Sequence, residues 1–482
     1  MPANYLENHK LSAATLCSQV DAKSPEILGF RVKEKGFTEQ QNCEELPEVE
    51  QIDEKHGITY PADLGKEDLV KIRHLALIEL TTLFDSLGLT YTRKKPTKIK
   101  IKENTIFGVP LTILLEYDCQ MYTHCRVPLV FQKILFYLEN QGLTEVGLLR
   151  VGCSRQKVEV LKKEIEASFY TSPNLVDNIL HSCSPHEVAS LLKQFIRGLP
   201  EPLLTNKYMN AFLQIQHIQE TVKQLQTLNL LVLLLPEAHQ ETLLALVTFL
   251  AQLAANEDKN KMNLRNIAMI VAPNLFPPPP KGDLQSELHV ATITCRVTEM
   301  LIKYRDILWT IPICLLKQVR KNNEYEALKK TDHKLKKKLR KKIRVDFYEI
   351  IEQEQSNITK AEIVIKPRQF NSQPFSVNID VNTRVSDVTY TAAQHLDVIF
   401  SSQNIANKDG YSQRMTYDVV PVFNPTQTCT QTNTDAATFL KTHSLHEIGG
   451  NIGERRLRNE AFALAIHVEN PSAGWELRCC HW

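Results

Sequence analysis

Leu191-Leu192-Lys193-Gln194-Phe195-Ile196-Arg197-Gly198-Leu199-Pro200-Glu201-Pro202-Leu203 is the stretch whose reading decides the fold. Val188, Leu191, Leu192, Phe195 and Ile196 recur three and four apart, the spacing with which a helix buries one stripe. Lys193 and Arg197, four apart, share another face, away from Leu192, Phe195 and Ile196. Pro200 and Pro202 then stop the helix and fix the exit of the chain. A helix with one apolar and one cationic face needs partner helices to cover the apolar one.

The period continues on both sides. Upstream, Pro128 suits a first turn, and Val130, Phe131, Ile134, Leu135 and Leu138 form an apolar face that should end at Gly142 in a left-handed cap. Val158, Leu161 and Ile165 mark another helix. Downstream, helices are predicted around Leu225 to Leu235, Leu243 to Ala255, Asn263 to Val271 and Leu284 to Trp309, which makes an all-helical domain. Between the first two helices lies Gly147-Leu148-Leu149-Arg150, where an apolar pair can anchor a loop while Gly147 and Gly152 permit tight turns that push Arg150 outward. Near the end of the domain comes Asn266-Ile267-Ala268-Met269-Ile270-Val271-Ala272-Pro273-Asn274-Leu275, in which Pro273 is expected to end the helix and Asn274 reads by itself as a cap or turn residue.

The rest of the chain divides by composition. Residues 1–62 are polar, rich in Glu, Lys and Asn, and predicted to be largely disordered. Residues 63–106 hold an amphipathic helix, with Leu69, Ile72, Ala76, Leu80, Leu83 and Leu87 on one stripe, followed by a basic connector from Arg93 to Lys102. The helical domain spans 107–310, and 311–350 form a basic helical segment. Residues 351–482 read as a small α+β module, partly irregular: Ile363-Val364-Ile365 and the alternating Phe375, Val377, Ile379 and Val381 make a hairpin, and Val385 to Leu396 a helix. This order faintly resembles a ubiquitin-like grasp. Thr426 to Thr434 is low in complexity and reads as a loop.

At 482 residues, with 43% hydrophobic content, the chain can build a sizeable core plus smaller units. Its formal charge of +2 implies no whole-molecule attraction to nucleic acid or membrane. Eleven scattered cysteines without a framework fit reduced thiols in a cytosolic protein. The start, Met1-Pro2-Ala3-Asn4, predicts no signal peptide, and the longest apolar runs fall short of the roughly 20 residues of a spanning helix.

The ordered triple of Gly147 to Arg150, Leu191 to Leu203 and Asn266 to Leu275 resembles the Rho GTPase-activating protein family, over about Phe107 to Tyr304. Lys317 to Arg320 and Gly449-Gly450-Asn451-Ile452-Gly453-Glu454 resemble the subgroup with a basic segment and a short C-terminal module. The resemblance implies a mainly α fold with a RhoGAP-type domain, and an activator of GTP hydrolysis on Rho-family small GTPases rather than a stand-alone enzyme. It assigns Arg150 as an arginine inserted into the partner's nucleotide site. Lys193 and Arg197 would hold that loop and face the GTPase, and Asn274 would hydrogen-bond the partner. Arginine suits the task because its planar, permanently charged guanidinium donates two hydrogen bonds to phosphate oxygens at once. No cofactor or metal is implied for this chain, because GTP and magnesium are held by the GTP-bound partner. Val146 and Cys153 depart from the family's usual acidic residue and glycine, which leaves open a second reading, a non-catalytic GTPase-binding adaptor using the same surface.

No Gly-x-x-x-x-Gly-Lys-Ser/Thr loop occurs, so the chain has no nucleotide cradle of its own, and Gly449 to Gly453 reads as a turn. His181, Cys183 and His186 lack a fourth ligand, which argues against a metal site. Lys334 to Arg344 reads as a solvated helix, as a weak contact for anionic membrane, or as a nuclear import signal. Pro277 to Pro280 reads as a stiff loop or a groove-docking tract, and Cys479-Cys480-His481-Trp482 as a poor prenylation signal. Localisation is expected to be cytoplasmic, peripheral to membrane or cytoskeleton; oligomeric state is not encoded in any motif.

Overall fold

The computed structural model describes residues 30–32, 46–51, 55–90, 106–122, 125–277, 284–331, 358–368, 373–396 and 436–479. The connector from Arg93 to Lys102, Pro278 to Pro280, Lys334 to Arg344, Thr426 to Thr434 and Cys480 to Trp482 lie outside these residues.

In chain order the helical part comprises a short pair of strands, β1 (Phe30–Val32) and β2 (Val49–Gln51), then α1 (Lys66–Ser86), α2 (Leu111–Met121), α3 (Leu129–Gln141), α4 (Arg155–Ser168) and α5 (Pro173–His181). There follow α6 (Pro185–Gly198), α7 (Thr205–Gln214), α8 (Thr221–Leu234), α9 (Glu237–Ala255), the one-turn α10 (Glu257–Asn260) and α11 (Leu264–Leu275). The helical part closes with α12 (Leu284–Lys303), the short α13 (Arg305–Leu308) and α14 (Ile313–Thr331). The stripe read from the sequence buries as a helix period requires: Val188, Leu191, Leu192, Phe195 and Ile196 of α6 are all inside the core. α6 packs on α3, α4 and α11, so the stretch that opened the sequence reading sits at the centre of the bundle. Ser184 starts it with a capping box, its hydroxyl accepting from the Glu187 N–H while the Glu187 carboxylate accepts from the Ser184 N–H.

Two expectations are corrected. Gly142 adopts φ −110°, in the right-handed region, rather than a left-handed cap. It is small for space: a Cβ there would lie 2.8 Å from the Leu138 carbonyl and 3.2 Å from the Leu148 side chain. Pro273 does not end its helix but sits inside α11, which runs on to Leu275 and closes with Phe276 N–H donating to the Ala272 carbonyl. A proline two residues from a C-terminus removes only one intrahelical donor, and the last turn tolerates that. Within residues 1–62 the described residues hold local order. β1 pairs with β2, Phe30 and Leu46 are buried in the main core, and Tyr304 and Lys303 donate to the carbonyls of Pro47 and Leu46.

The outer boundaries of the helical domain shift for the same reason. α1 packs on α8 and α14, and Ile72, Ala76 and Leu80 are fully buried there. Leu315, Leu316 and Val319 of α14 are buried too, so α1 and α14 belong to the bundle rather than to flanking segments.

The C-terminal module contains β3 (Lys360–Pro367), β4 (Phe375–Asp380), α15 (Val385–His395), α16 (Ala436–Thr442), β5 (His443–Gly449), β6 (Ile452–Arg456), α17 (Ala463–Glu469) and β7 (Gly474–Cys479). Its sheet order is β4-β3-β7-β5-β6, with β3 and β7 parallel and the other neighbours antiparallel. The module has its own core, in which Ile363, Ile365, Val377 and Ile379 of the hairpin meet Val385, Val388 and Ala392 of α15.

The module is keyed to the bundle through the turn that the sequence singled out as glycine-rich. Gly449 and Gly450 take φ +80° and +69°, and a Cβ on Gly450 would stand 2.0 Å from the Asn470 Oδ1. The turn delivers Asn451 onto α14, where its Oδ1 accepts from Arg320 and its carbonyl accepts from Asn323 Nδ2 at 3.0 Å. Beside it the buried Arg320 donates two hydrogen bonds to the buried Glu447 carboxylate, at 2.8 and 2.9 Å. Burial alone would raise the Glu447 carboxyl, but the hydrogen bonds and charge of Arg320, with Arg455 nearby, hold it below its usual range. On the α1 side, Asp68 accepts from Gly453 N–H at 2.7 Å, and Gly65 N–H donates to the Glu454 carbonyl. Residues 64 and 65 thereby cover the outer edge of β6.

Candidate functional site

The loop between α3 and α4 is built so that two leucines go in and one arginine comes out. Leu148 and Leu149 are buried and Arg150 is exposed. Two left-handed residues make that reversal possible: Gly147 at φ +72° and, unusually for a branched side chain, Leu149 at φ +69°. A non-glycine residue there costs about 1–2 kcal/mol and persists only where its surroundings hold it. Both Arg150 and Val151 donate their N–H groups to the Gly147 carbonyl at 2.9 Å, closing the turn. A Cβ on Gly147 would stand 3.2 Å from an Arg150 guanidinium nitrogen, so the missing side chain leaves room for the arginine to lie across the loop. Among the described residues no carboxylate forms an ion pair with Arg150.

Lys193 supplies the restraint on Leu149. Its Nζ reaches from α6 and donates to the Leu149 carbonyl at 2.6 Å. The lysine is half-buried, and burial, with the Arg197 charge adding to it, lowers its pKa, an effect that the nearby Cys153 opposes. One turn further along α6, the exposed Arg197 donates through Nε and Nη2 to Asn274 Oδ1, at 3.2 and 2.8 Å. Asn274 is buried, and its own amide donates to the Ile270 carbonyl at 2.8 Å. It therefore lies inside the last turn of α11 rather than capping it.

The four residues singled out from sequence thus form one continuous patch. Arg150 stands at the loop apex, Lys193 holds the peptide just before it, and Arg197 joins the same helix face to Asn274. Of the two departures, Val146 is 56% exposed and Cys153 is half-buried, next to Lys193 in charge interaction. Val151, directly after Arg150 and passed over in the sequence, is also exposed. The valines that flank the Gly147 to Arg150 run were the available signal.

The other candidates are used internally. His181 Nδ1 sits 2.6 Å from the Asp177 carbonyl, the Cys183 carbonyl accepts from Tyr137, and His186 faces Glu145 at 3.2 Å. Among the described residues no group of three or more His, Cys, Asp or Glu is placed to hold a metal ion, and no helix is long and apolar enough to cross a membrane.

The RhoGAP domain family matches residues 128–280, and the RHG40-like, C-terminal ubiquitin-like domain matches residues 362–480. Among curated proteins the chain is 35% identical over 440 residues to human Rho GTPase-activating protein 18, covering 90% of this chain and 60% of that protein. It is 36% identical over 430 residues to mouse Rho GTPase-activating protein 40, covering 88% and 60%, and 34% identical over 426 residues to the human Rho GTPase-activating protein 28, covering 88% and 55%. The chain spans about three fifths of the length of the first two of these relatives.

Proposed function

We propose that this chain accelerates GTP hydrolysis on a Rho-family small GTPase in its GTP-bound state by inserting Arg150 into the partner's nucleotide site. Hydrolysis needs positive charge placed against the oxygens where negative charge grows in the transition state, and it needs water kept out. The observation that carries the reading is the exposed Arg150 at the apex of a left-handed turn whose preceding carbonyl is fixed by Lys193. The similarity to proteins named Rho GTPase-activating proteins supports it. In this reading Lys193 braces the loop, and Asn274 orients the exposed Arg197 guanidinium toward the GTPase surface. Val146 and Val151 form an apolar rim that helps exclude water. The GTP, the magnesium ion and the attacking water stay with the partner.

The test is a single-turnover assay with purified protein and GTP-loaded Rho, Rac and related GTPases. At least one should hydrolyse faster, and Arg150→Ala should remove about 10³ to 10⁵ of the acceleration while binding persists. Equal rates for parent and variant would leave the adaptor reading in its place.

A further inference from the structure

Asn260, the last residue of the one-turn α10, is fully buried and has no counterpart among the residues read from the sequence. Every polar atom of its side chain is used. Nδ2 donates to the Leu143 carbonyl and to the Leu253 carbonyl, each at 2.8 Å, and Oδ1 accepts from the Met262 N–H at 2.8 Å. Its main-chain carbonyl accepts from the Gly147 N–H at 2.8 Å. The orientation of the amide follows from its neighbours: two carbonyls demand the nitrogen and one N–H demands the oxygen.

The four partners are not arbitrary. Leu143 opens the loop that carries Arg150, and Gly147 is the left-handed residue that turns it. Leu253 lies in the last turn of α9, and Met262 leads into α11, the helix that holds Asn274. Lys261, directly after Asn260, is itself left-handed at φ +60°, so the chain reverses here to bring α9, the loop and α11 onto one residue. From this, and resting on the proposed function, we infer that Asn260 is a positioning residue for the arginine: it fixes the near half of the loop as Lys193 fixes the far half, and registers both against Asn274. No other residue type fits. Aspartate would point an oxygen at two carbonyls, and an aliphatic side chain would leave two carbonyls and one N–H buried without partners.

Asn260→Ser tests this, with Asn260→Asp as a second variant that keeps the size and the acceptor for Met262. With GTP-loaded GTPase, the maximal stimulated rate should fall about tenfold or more while KM changes less than about threefold, because only the placement of the arginine is lost. In an Arg150→Ala background the same substitution should change the residual rate by less than about twofold, since no guanidinium is left to place. An undiminished maximal rate, a loss lying wholly in KM, or a full additive loss in that background each overturns the inference. Failure of Arg150→Ala to slow hydrolysis would instead defeat the proposed function. Hydrogen exchange gives a check independent of activity. In the parent, the Gly147 amide should be protected, and in Asn260→Ser amides of residues 143–151 should exchange faster while those of α8 stay protected. Rapid exchange of Gly147 in the parent, or loosening across α8 in the variant, overturns it as well.

Discussion

Replacing Lys193 by methionine keeps the aliphatic stem and removes only the ammonium, so it isolates the hydrogen bond to the Leu149 carbonyl. At 2.6 Å from a charged donor, that bond belongs to the class worth about 1.5–3 kcal/mol. Against it stands the left-handed conformation of Leu149, at φ +69°, which costs about 1–2 kcal/mol. The braced turn is therefore favoured by a margin on the order of 1 kcal/mol, and without the brace the balance turns against it by about the strain itself. The competent loop then drops to roughly a tenth of the population, and the maximal single-turnover rate at saturating Lys193→Met protein should fall about 5- to 30-fold. That is far less than removing the arginine, which sets the ceiling at about 10³ or more. Titration of GTP-loaded GTPase with parent and variant separates rate from affinity. A variant that keeps the parent's maximal rate and merely needs more protein to reach it would refute the reasoning, because Lys193 would then be a contact and not a brace.

Asn274→Ala should free the Arg197 side chain that it holds at 2.8 Å and weaken GTPase binding about tenfold, with little change in the rate at saturation; equilibrium binding measures this. Glu447→Gln leaves the buried Arg455 without its carboxylate partner and Arg320 with Glu469 alone, and should destabilise the chain by about 3–5 kcal/mol in urea unfolding, yet leave the stimulated rate of the folded protein unchanged. Asp118 gives a pH dependence. It is buried, accepts from the Leu129 N–H at 2.8 Å and from Tyr170, and burial, only partly opposed by these bonds, lifts its carboxyl from 3.8 to about 6. The folded state thus holds this proton more tightly than the unfolded chain, so its contribution to stability is present below about pH 4, is lost as pH rises to about 6, and stays lost above. Asp118→Asn should raise stability at about pH 7.5 by at most on the order of 3 kcal/mol and leave it unchanged near pH 3.5; urea midpoints that run parallel for both proteins across this range would contradict it.

The helical fold was legible because its signals are local: a stripe three and four apart in α6 needs no knowledge of the rest of the chain to predict a buried face. The hairpin of the module was legible for the same reason, through alternation at Phe375, Val377 and Ile379. Single-residue rules failed where space or position overrode them. Gly142 answers to a crowded approach by Leu138 and Leu148 rather than to a dihedral, and Pro273 is tolerated because the helix has so little length left to disrupt. The order at Phe30 and Leu46 was not readable, since each contributes a single apolar anchor to a core assembled from helices spread along the chain, and the side chains that hold this segment are the distant Lys303 and Tyr304. At the site, Arg150, Lys193, Arg197 and Asn274 could be singled out only through the resemblance that the three motifs carry together, and the bond between Arg197 and Asn274 was not legible. Asn260 looks like any polar residue in a short turn. Its importance arises from three main-chain groups that only the folded chain brings to it.

α1 and α14 lie outside the matched span of 128–280, yet both are packed into the bundle and carry the groups that meet the module. A fragment cut at the limits of that span would strip Ile72, Ala76, Leu80 and Val319 from the surfaces they seal, and would open an oily seam along α8. A longer piece ending just after α14 would keep the seam closed but leave the Arg320 guanidinium without the Glu447 and Glu469 carboxylates that pair with it. The smallest excisable unit that conserves both is set by the Arg320–Glu447 pair and not by the helices alone.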